Sequence, residues 1–311
     1  MMRLRLAVLG LLCLAMASAR APRVGGTTWA NVTRAAEWSP GYSFTALGLR
    51  DTLWLFGHRA GDWYSEHGAH WTTASTRAGA SSAYNDYVVL NGVIYAIGGA
   101  ESQVRPSHRS VWKSLNGRDW QLVTDHPAWS ARVWHSAAVH DGRIWVSGGY
   151  DGTYKNDVWS STDGSNWQLA TADAPWSGRC MHASVTFAGK LWVLAGRRDM
   201  ERWWETDFND VWSSADGVTW ARATSGADWS KRYGIAAAAW DGQLWVMGGS
   251  HFFRSNDVWS STDGVSWTAH GHATWSPRFA LASVVFRDKL WVLGGKEGGG
   301  HFTNDVWSLA R

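Results

Sequence analysis

Cysteine is almost missing from this 311-residue chain, which has only Cys13 and Cys180. Residues 1–19 read as a secretory leader: Arg3 and Arg5 precede the apolar stretch Leu6 to Ala17, and Ala17-Ser18-Ala19 is an A-x-A cleavage site. Cleavage there removes Cys13, so an internal disulfide framework and a cysteine-built zinc site are both excluded in the mature chain. Proline is scarce at 6, and Asp, Glu, Lys and Arg make up only 18% of the residues. The chain is therefore neither collagen-like nor of the highly charged, disordered class. Net charge is low too: the formal +3 falls to about +1 without the two leader arginines, and no basic stripe remains. That removes the electrostatic case for a nucleic-acid binder. Beyond the leader, no run approaches the roughly 20 apolar residues that a membrane-spanning helix needs. These absences predict a secreted, extracellular chain, monomeric, without membrane insertion, divided into a leader (1–19) and one domain (20–311).

Tryptophan and glycine are abundant, at 26 and 34, and they recur in one pattern. In its clearest copy Trp129-Ser130-Ala131-Arg132 leads to His135-Ser136-Ala137-Ala138-Val139, then Asp141-Gly142, Arg143-Ile144-Trp145-Val146 and Gly148-Gly149. Asn156-Asp157-Val158-Trp159-Ser160-Ser161-Thr162-Asp163-Gly164 and Trp167 follow. The glycine pair or its remnant returns at Phe56-Gly57, Gly98-Gly99, Ala195-Gly196, Gly248-Gly249 and Gly294-Gly295, giving six copies 42 to 53 residues apart. Each copy holds four short β-type runs punctuated by turn signals, which is the size and content of a propeller blade. The Asp-Gly and Asn-Gly pairs supply the positive-φ residues of tight hairpins between strands A and B and between C and D. Ala- and Ser-rich strand A suits the crowded axis. The expected fold is thus all-β: a six-bladed β-propeller of four-stranded antiparallel blades.

The sixth copy stops after strand C, at Asn304-Asp305-Val306-Trp307-Ser308-Leu309, and its missing strand lies at the other end of the chain. Trp29-Ala30-Asn31-Val32-Thr33 has the same Trp and Thr spacing as Trp120 to Thr124 and Trp167 to Thr171. The N-terminal strand is therefore expected to complete the C-terminal blade, removing two exposed sheet edges. Of the tryptophans, 21 fall at repeat positions and are expected to pack between blades; Trp63, Trp134, Trp203, Trp204 and Trp240 fall outside the pattern.

The double glycine after a hydrophobic strand B, with the aromatic of strand C and the Trp of strand D following, resembles the kelch repeat over about residues 28 to 311. The first copy departs at Phe56-Gly57-His58 and Tyr64, and the second at Ser110, where other copies carry Asp. The Ser-Ser-Thr-Asp-Gly-x-x-Trp hairpin is similar to the Asp box of sialidases, with Thr162 or Ala215 where that box has its first Asp; the similarity implies a turn and no chemistry.

In alternating strands, the B-to-C loops and D-to-A linkers share one face, and the variation between copies lies in those loops. A binding site belongs there. Arg77, Arg132, Arg179, Arg232 and Arg278 stand one per blade at the start of strand A, with Gly41 in the remaining copy. They form either an anion-seeking funnel or structural pairs with Asp62, Asp157, Asp210, Asp257 and Asp305 on the same face. The longest loop, residues 197–208, sets Arg202, Trp203, Trp204 and Glu205 side by side, the mixture a sugar or peptide cleft uses; it could equally plug the funnel. His135 and His182 occupy equivalent positions and read as repeat residues satisfied by nearby backbone. His58, His251 and His301 lie in B-to-C loops of neighbouring blades, yet no helical spacing locks them as metal ligands. Cys180 reads as a buried small residue of strand A. No catalytic residue, metal or cofactor is expected: a P-loop and a G-x-S-x-G elbow are absent, and Cys180 has no evident tyrosine partner of the galactose oxidase type. The kelch resemblance implies a non-catalytic recognition module for a protein or glycan ligand. Two alternatives stay open. One is an isomerase or mutarotase acting on a sugar acid, similar to the six-bladed sialic-acid mutarotases, with Glu201, Glu205 or Glu297 moving the proton. The other is a structural surface or matrix protein.

Overall fold

The computed structural model describes residues 28–58, 61–75, 84–100, 107–200 and 206–311. The leader and Arg77, Arg202, Trp203, Trp204 and Glu205 lie outside them. Within them the chain forms six blades. Blade 1 is Thr45–Leu49, Thr52–Phe56, Asp62–Ser65 and Thr72–Ser75; blade 2 is Asp86–Leu90, Val93–Ala100, Ser107–Ser114 and Gln121–Thr124. Blade 3 is Ser136–His140, Arg143–Ser147, Val158–Ser161 and Gln168–Thr171; blade 4 is Ala183–Phe187, Lys190–Leu194, Val211–Ser214 and Ala221–Thr224. Blade 5 is Ala236–Trp240, Gln243–Met247, Asp257–Ser261 and Thr268–His272. Blade 6 joins Ala282–Phe286, Lys289–Glu297 and Phe302–Leu309 to Ala30–Thr33, and Arg278–Phe279 adds a short bridge to the end of its second strand. Strands pair in the order A-B-C-D, all antiparallel.

The A–B hairpins show why local sequence suffices here. Asp141 and Gly142 sit at φ 46° and 65°, the left-handed pair that a two-residue hairpin of this twist demands. Two hairpins meet that demand without an Asn-Gly or Asp-Gly pair, with Ala188 before Gly189 and with Arg287 and Asp288 both at positive φ, while in blade 1 Arg50 alone holds positive φ.

Closure is as the sequence leads one to expect. Ala30 lies opposite Ser308, Asn31 opposite Trp307 and Thr33 opposite Val306. The Asn304 side chain donates to the carbonyls of Ala36 and Trp38 at 2.8 and 2.9 Å, welding blade 6 to the linker of blade 1. Asn156, Asn209 and Asn256 clamp the following linker in the same way.

Repeat tryptophans fill two kinds of seam. Trp38, Trp129, Trp176, Trp229 and Trp275, just before strand A, are essentially inaccessible and meet the strand D indole of their own blade edge-on. For Trp275 that partner is Trp29 from the closing strand, 6.0 Å away at 83°. Strand B tryptophans reach the next blade instead. The Trp145 ring lies over the C–D hairpin of blade 4, where a Cβ added to Gly217 would fall 2.0 Å from it; Trp192 over Gly264 and Trp54 over Gly117 repeat the arrangement. The hairpin glycine is needed twice, for its φ of 70° and for the indole against it. Gly217→Ala should therefore cost about 3 kcal/mol or more through overpacking and backbone strain. Gly142→Ala, with open space around it, should cost only about 1 kcal/mol. Urea midpoints of the two variants check this; equal losses would mean the seam is loose.

Candidate functional site

Isolated bridges confirm that the B-to-C loops and the D-to-A linkers meet on one face: Val133 pairs with Tyr150, Cys180 with Arg197, and Tyr233 with Ser250. On that face Arg132, Arg179, Arg232 and Arg278 are buried, at most 2% exposed. Each makes a two-pronged contact with the strand C aspartate of its own blade. Arg132 reaches both oxygens of Asp157 at 2.6 and 2.9 Å, and Arg179 those of Asp210 at 2.7 and 2.9 Å. Arg232 holds Asp257 and Arg278 holds Asp305 likewise. In Arg132, Arg232 and Arg278 the remaining donors are spent as well, and Arg179 gives Nε and Nη1 to the Ser177 and Ala195 carbonyls. Arg132 gives Nε to the Ser130 carbonyl, Nη1 to the Gly148 carbonyl and Nη2 to the Ser130 hydroxyl, so all five N–H groups are occupied. Arg232 repeats this set. Each aspartate also accepts the indole N–H of its strand C tryptophan, as Asp157 does from Trp159 at 2.8 Å. Of the two roles the sequence allowed for these four arginines, structural pairing is the one their described geometry displays. Blade 1 lacks the pair: at Gly41 the space is taken by the His58 ring, whose Nε2 lies 2.6 Å from the Ser39 carbonyl oxygen.

The channel mouth is built from residues the repeat pattern does not mark. Ser43, Tyr84, Trp134, Met181, Gly234 and Ala280, one per blade just before strand A, all have φ between 51° and 63°. Their left-handed turns aim amides at the preceding blade. Met181 N–H donates to Trp134 O at 2.9 Å, Gly234 to Met181 at 2.9 Å, Ala280 to Gly234 at 2.7 Å and Ser43 to Ala280 at 2.9 Å. These four bonds link blades 3, 4, 5, 6 and 1 around the channel. The side chains at these positions are bulky in blades 2 to 4 and small in blades 5, 6 and 1. Tyr42, Phe279 and Tyr233, each next to one of the small residues, form a line of rings with centroids 6.4 and 5.3 Å apart. The central cavity, about 160 Å³, takes lining from all six blades and is smaller than the roughly 300–1,000 Å³ of ordinary small-molecule sites.

The loop of blade 4 carries a buried ion pair that the sequence reading missed. Arg197 grips both oxygens of Asp207 at 2.9 and 3.1 Å, lies flat on Tyr233 at 3.4 Å, and Asp207 also meets His251 Nδ1 at 2.8 Å. The available signal was Arg197 itself, a charge directly after the glycine mark. The pair pins the blade 4 loop to that of blade 5.

With this geometry in hand, residues 84–269 match the KLHDC2/KLHL20/DRC7 Kelch-repeats domain. The chain belongs to the kelch-repeat family. Kelch propellers generally bind proteins. Among solved structures, that of YjhT is similar, with a TM-score of 0.76 at 17% identity over 90% of this chain and 97% of that one; at that identity the likeness shows the fold. No curated protein matches.

Inside the kelch channel, Asp86 lines the cavity with its pKa raised. Burial pushes it up to about 6, although Ala137 N–H, Tyr87 N–H and the Thr45 hydroxyl all donate to it at 2.7, 2.9 and 3.2 Å. The carboxylate staples blades 1, 2 and 3. A folded pKa above the unfolded value of 3.8 means stability that is full below pH 3.8 and lost as pH rises through about 6. The wild type should lose up to about 3 kcal/mol relative to Asp86→Asn between pH 4 and pH 7. Urea midpoints across that range check it, and parallel profiles would contradict it.

The kelch-blade histidines are quiet. His135 and His182 are buried, and burial first, then the neighbouring arginines, hold both neutral with pKa values near 3. His182 meets the Ser147 hydroxyl at 3.0 Å rather than backbone. His58, His251 and His301 are not gathered, and among the described residues no group of three metal-binding side chains occurs. Cys180 is fully buried, its thiol pushed up to about 12 by that burial. On the opposite face the Asp-Gly turns are self-contained: Asp163 Oδ1 accepts the amides of Ser165 and Asn166, both at 2.8 Å.

Proposed function

We propose that this kelch propeller is an exported recognition module that holds a protein partner on its loop face without turnover. The observation that carries this reading is the division of labour between arginines and loops. Arg132, Arg179, Arg232 and Arg278 are paired within the scaffold, whereas the loops between strands B and C differ in sequence from blade to blade on the face of the channel mouth. Exposed apolar groups on that face, Phe252 and Phe253 of blade 5 and Phe302 of blade 6 at 59%, 87% and 41%, suit a macromolecular surface better than a small cavity does. The leader-like residues 1–19 support an extracellular setting. The sugar-acid enzyme needs a loop acid free to move a proton, and Glu297, one of the acids considered, is engaged by Ser276 and Arg278. A photo-crosslinker placed at Phe253 should capture a partner from the extracellular fraction, while one at Leu115 on the opposite face should not. Capture from Leu115 alone, or accelerated anomer exchange of a sugar acid by the full chain, would overturn the proposal.

A further inference from the structure

Two cations beside the channel mouth have no anionic partner among the described residues. Arg254, in the blade 5 loop, stands over the Phe279 ring at 5.3 Å, and its Nε is buried without a hydrogen bond. Lys296, at the end of strand B in blade 6, stands over Tyr42 at 5.4 Å and Phe302 at 5.5 Å. The Tyr42 and Phe279 rings are 6.4 Å apart, so the two cations share one aromatic platform. Carboxylates of the same loops are taken: Asp207 by Arg197 and His251, Glu297 by Ser276 and Arg278, Asp257 by Arg232. Next to these rings in the chain, Ser43, Gly234 and Ala280 line the central cavity with small side chains. A buried guanidinium nitrogen without an acceptor is costly, and a cation held on an aromatic face is already partly stripped of water, so both gain most from an incoming anion. Phe279 is buried, and the apolar area left open beside Lys296 is Phe302, 41% exposed and stacked on Tyr42 at 5.1 Å.

The geometry points to an acidic peptide segment of the partner as the occupant: carboxylates reach Arg254 and Lys296, and an apolar or aromatic side chain lies against the exposed Phe302 ring, which is stacked on Tyr42. This rests on the proposed protein-recognition role and assigns that role its subsite. Arg132, Arg232 and Arg278 take no part, because their donors are already used.

The test is selection of a random 12-residue peptide display library on the full chain, followed by affinity measurements with the enriched peptides. Enriched sequences should combine Asp or Glu with a neighbouring Phe, Tyr, Trp or Leu. Binding should weaken with salt, and it should fall about tenfold or more in each of Arg254→Ala and Lys296→Ala. Melting temperatures of both variants should match the wild type, since neither side chain holds the fold together. Acidic peptides that bind the two variants as well as the wild type would overturn the subsite. If such peptides are lost on Phe253→Asp instead, the recognition role survives and only the cradle falls. Enrichment of basic or purely apolar peptides, no enrichment at all, or binding of free glucuronate in place of peptides would overturn the acidic-peptide assignment.

Discussion

Removing residues 20–34 should lower the melting temperature of the whole propeller by on the order of 10 °C or more, in a single transition rather than by fraying of one blade. The segment contributes the outer strand of blade 6, and with it Trp29, which is 4% exposed and packed edge-on against Trp275. Losing a buried indole alone costs about 3–5 kcal/mol. The ladder from Ala30 to Thr33 adds hydrogen bonds whose loss leaves Phe302–Leu309 as an exposed edge. Trp29, Trp275, Ala236 and Leu309 belong to one apolar cluster that spans blades 5 and 6, so damage at the closing strand spreads across a seam. Circular dichroism melts of the truncated and full chains decide the matter. A synthetic peptide of residues 28–34 should restore part of the lost stability. An unchanged midpoint after truncation would show that the strand is only a tail.

Arg179→Met should cost about 3–5 kcal/mol, because it leaves the Asp210 carboxylate partly buried without its counter-ion. Arg179 is inaccessible, lies on the Phe208 ring at 4.2 Å and the Trp176 ring at 5.6 Å, and gives Nη1 to the Ala195 carbonyl as well as to Asp210. Asp210→Asn should also destabilise, and the double variant should lose much less than the two single losses combined, since it removes both charges together. Acid should reveal the same pair. Burial pushes the Asp210 pKa up, but the hydrogen bonds from Arg179 and Trp212 and the arginine charge outweigh it and hold the group below 3.8. Its contribution is therefore present above pH 3.8 and lost as pH falls through the lowered value. Asp257 behaves alike for the same reasons with Arg232 and Trp259. Guanidinium chloride midpoints at neutral and acid pH measure both effects. If Arg179→Met keeps the wild-type midpoint, the arginine is not part of the scaffold.

The sequence by itself determined the architecture. Six glycine marks, their spacing, the turn pairs and the stray fourth strand at Trp29 specify six blades and their closure, because each is a local demand on φ, on alternation or on one missing edge. It also narrowed the arginines to two roles without choosing, since an Arg and an Asp one strand apart look the same whether they face each other or a ligand. Only the tertiary structure decided that Arg132, Arg179, Arg232 and Arg278 face their aspartates, and that Gly217 is required by an indole from the preceding blade. It alone placed Trp134 and Met181 in a ring of left-handed turns, which no propensity would suggest for such residues. The pairing of Arg197 with Asp207 and the isolation of Arg254 and Lys296 on Tyr42 and Phe279 were likewise invisible in the chain. Arg197 and Asp207 lie ten residues apart in one loop, while Arg254 and Lys296 meet rings from neighbouring blades; these partners are set by how the loop folds and how the blades meet around the axis, which no single repeat encodes.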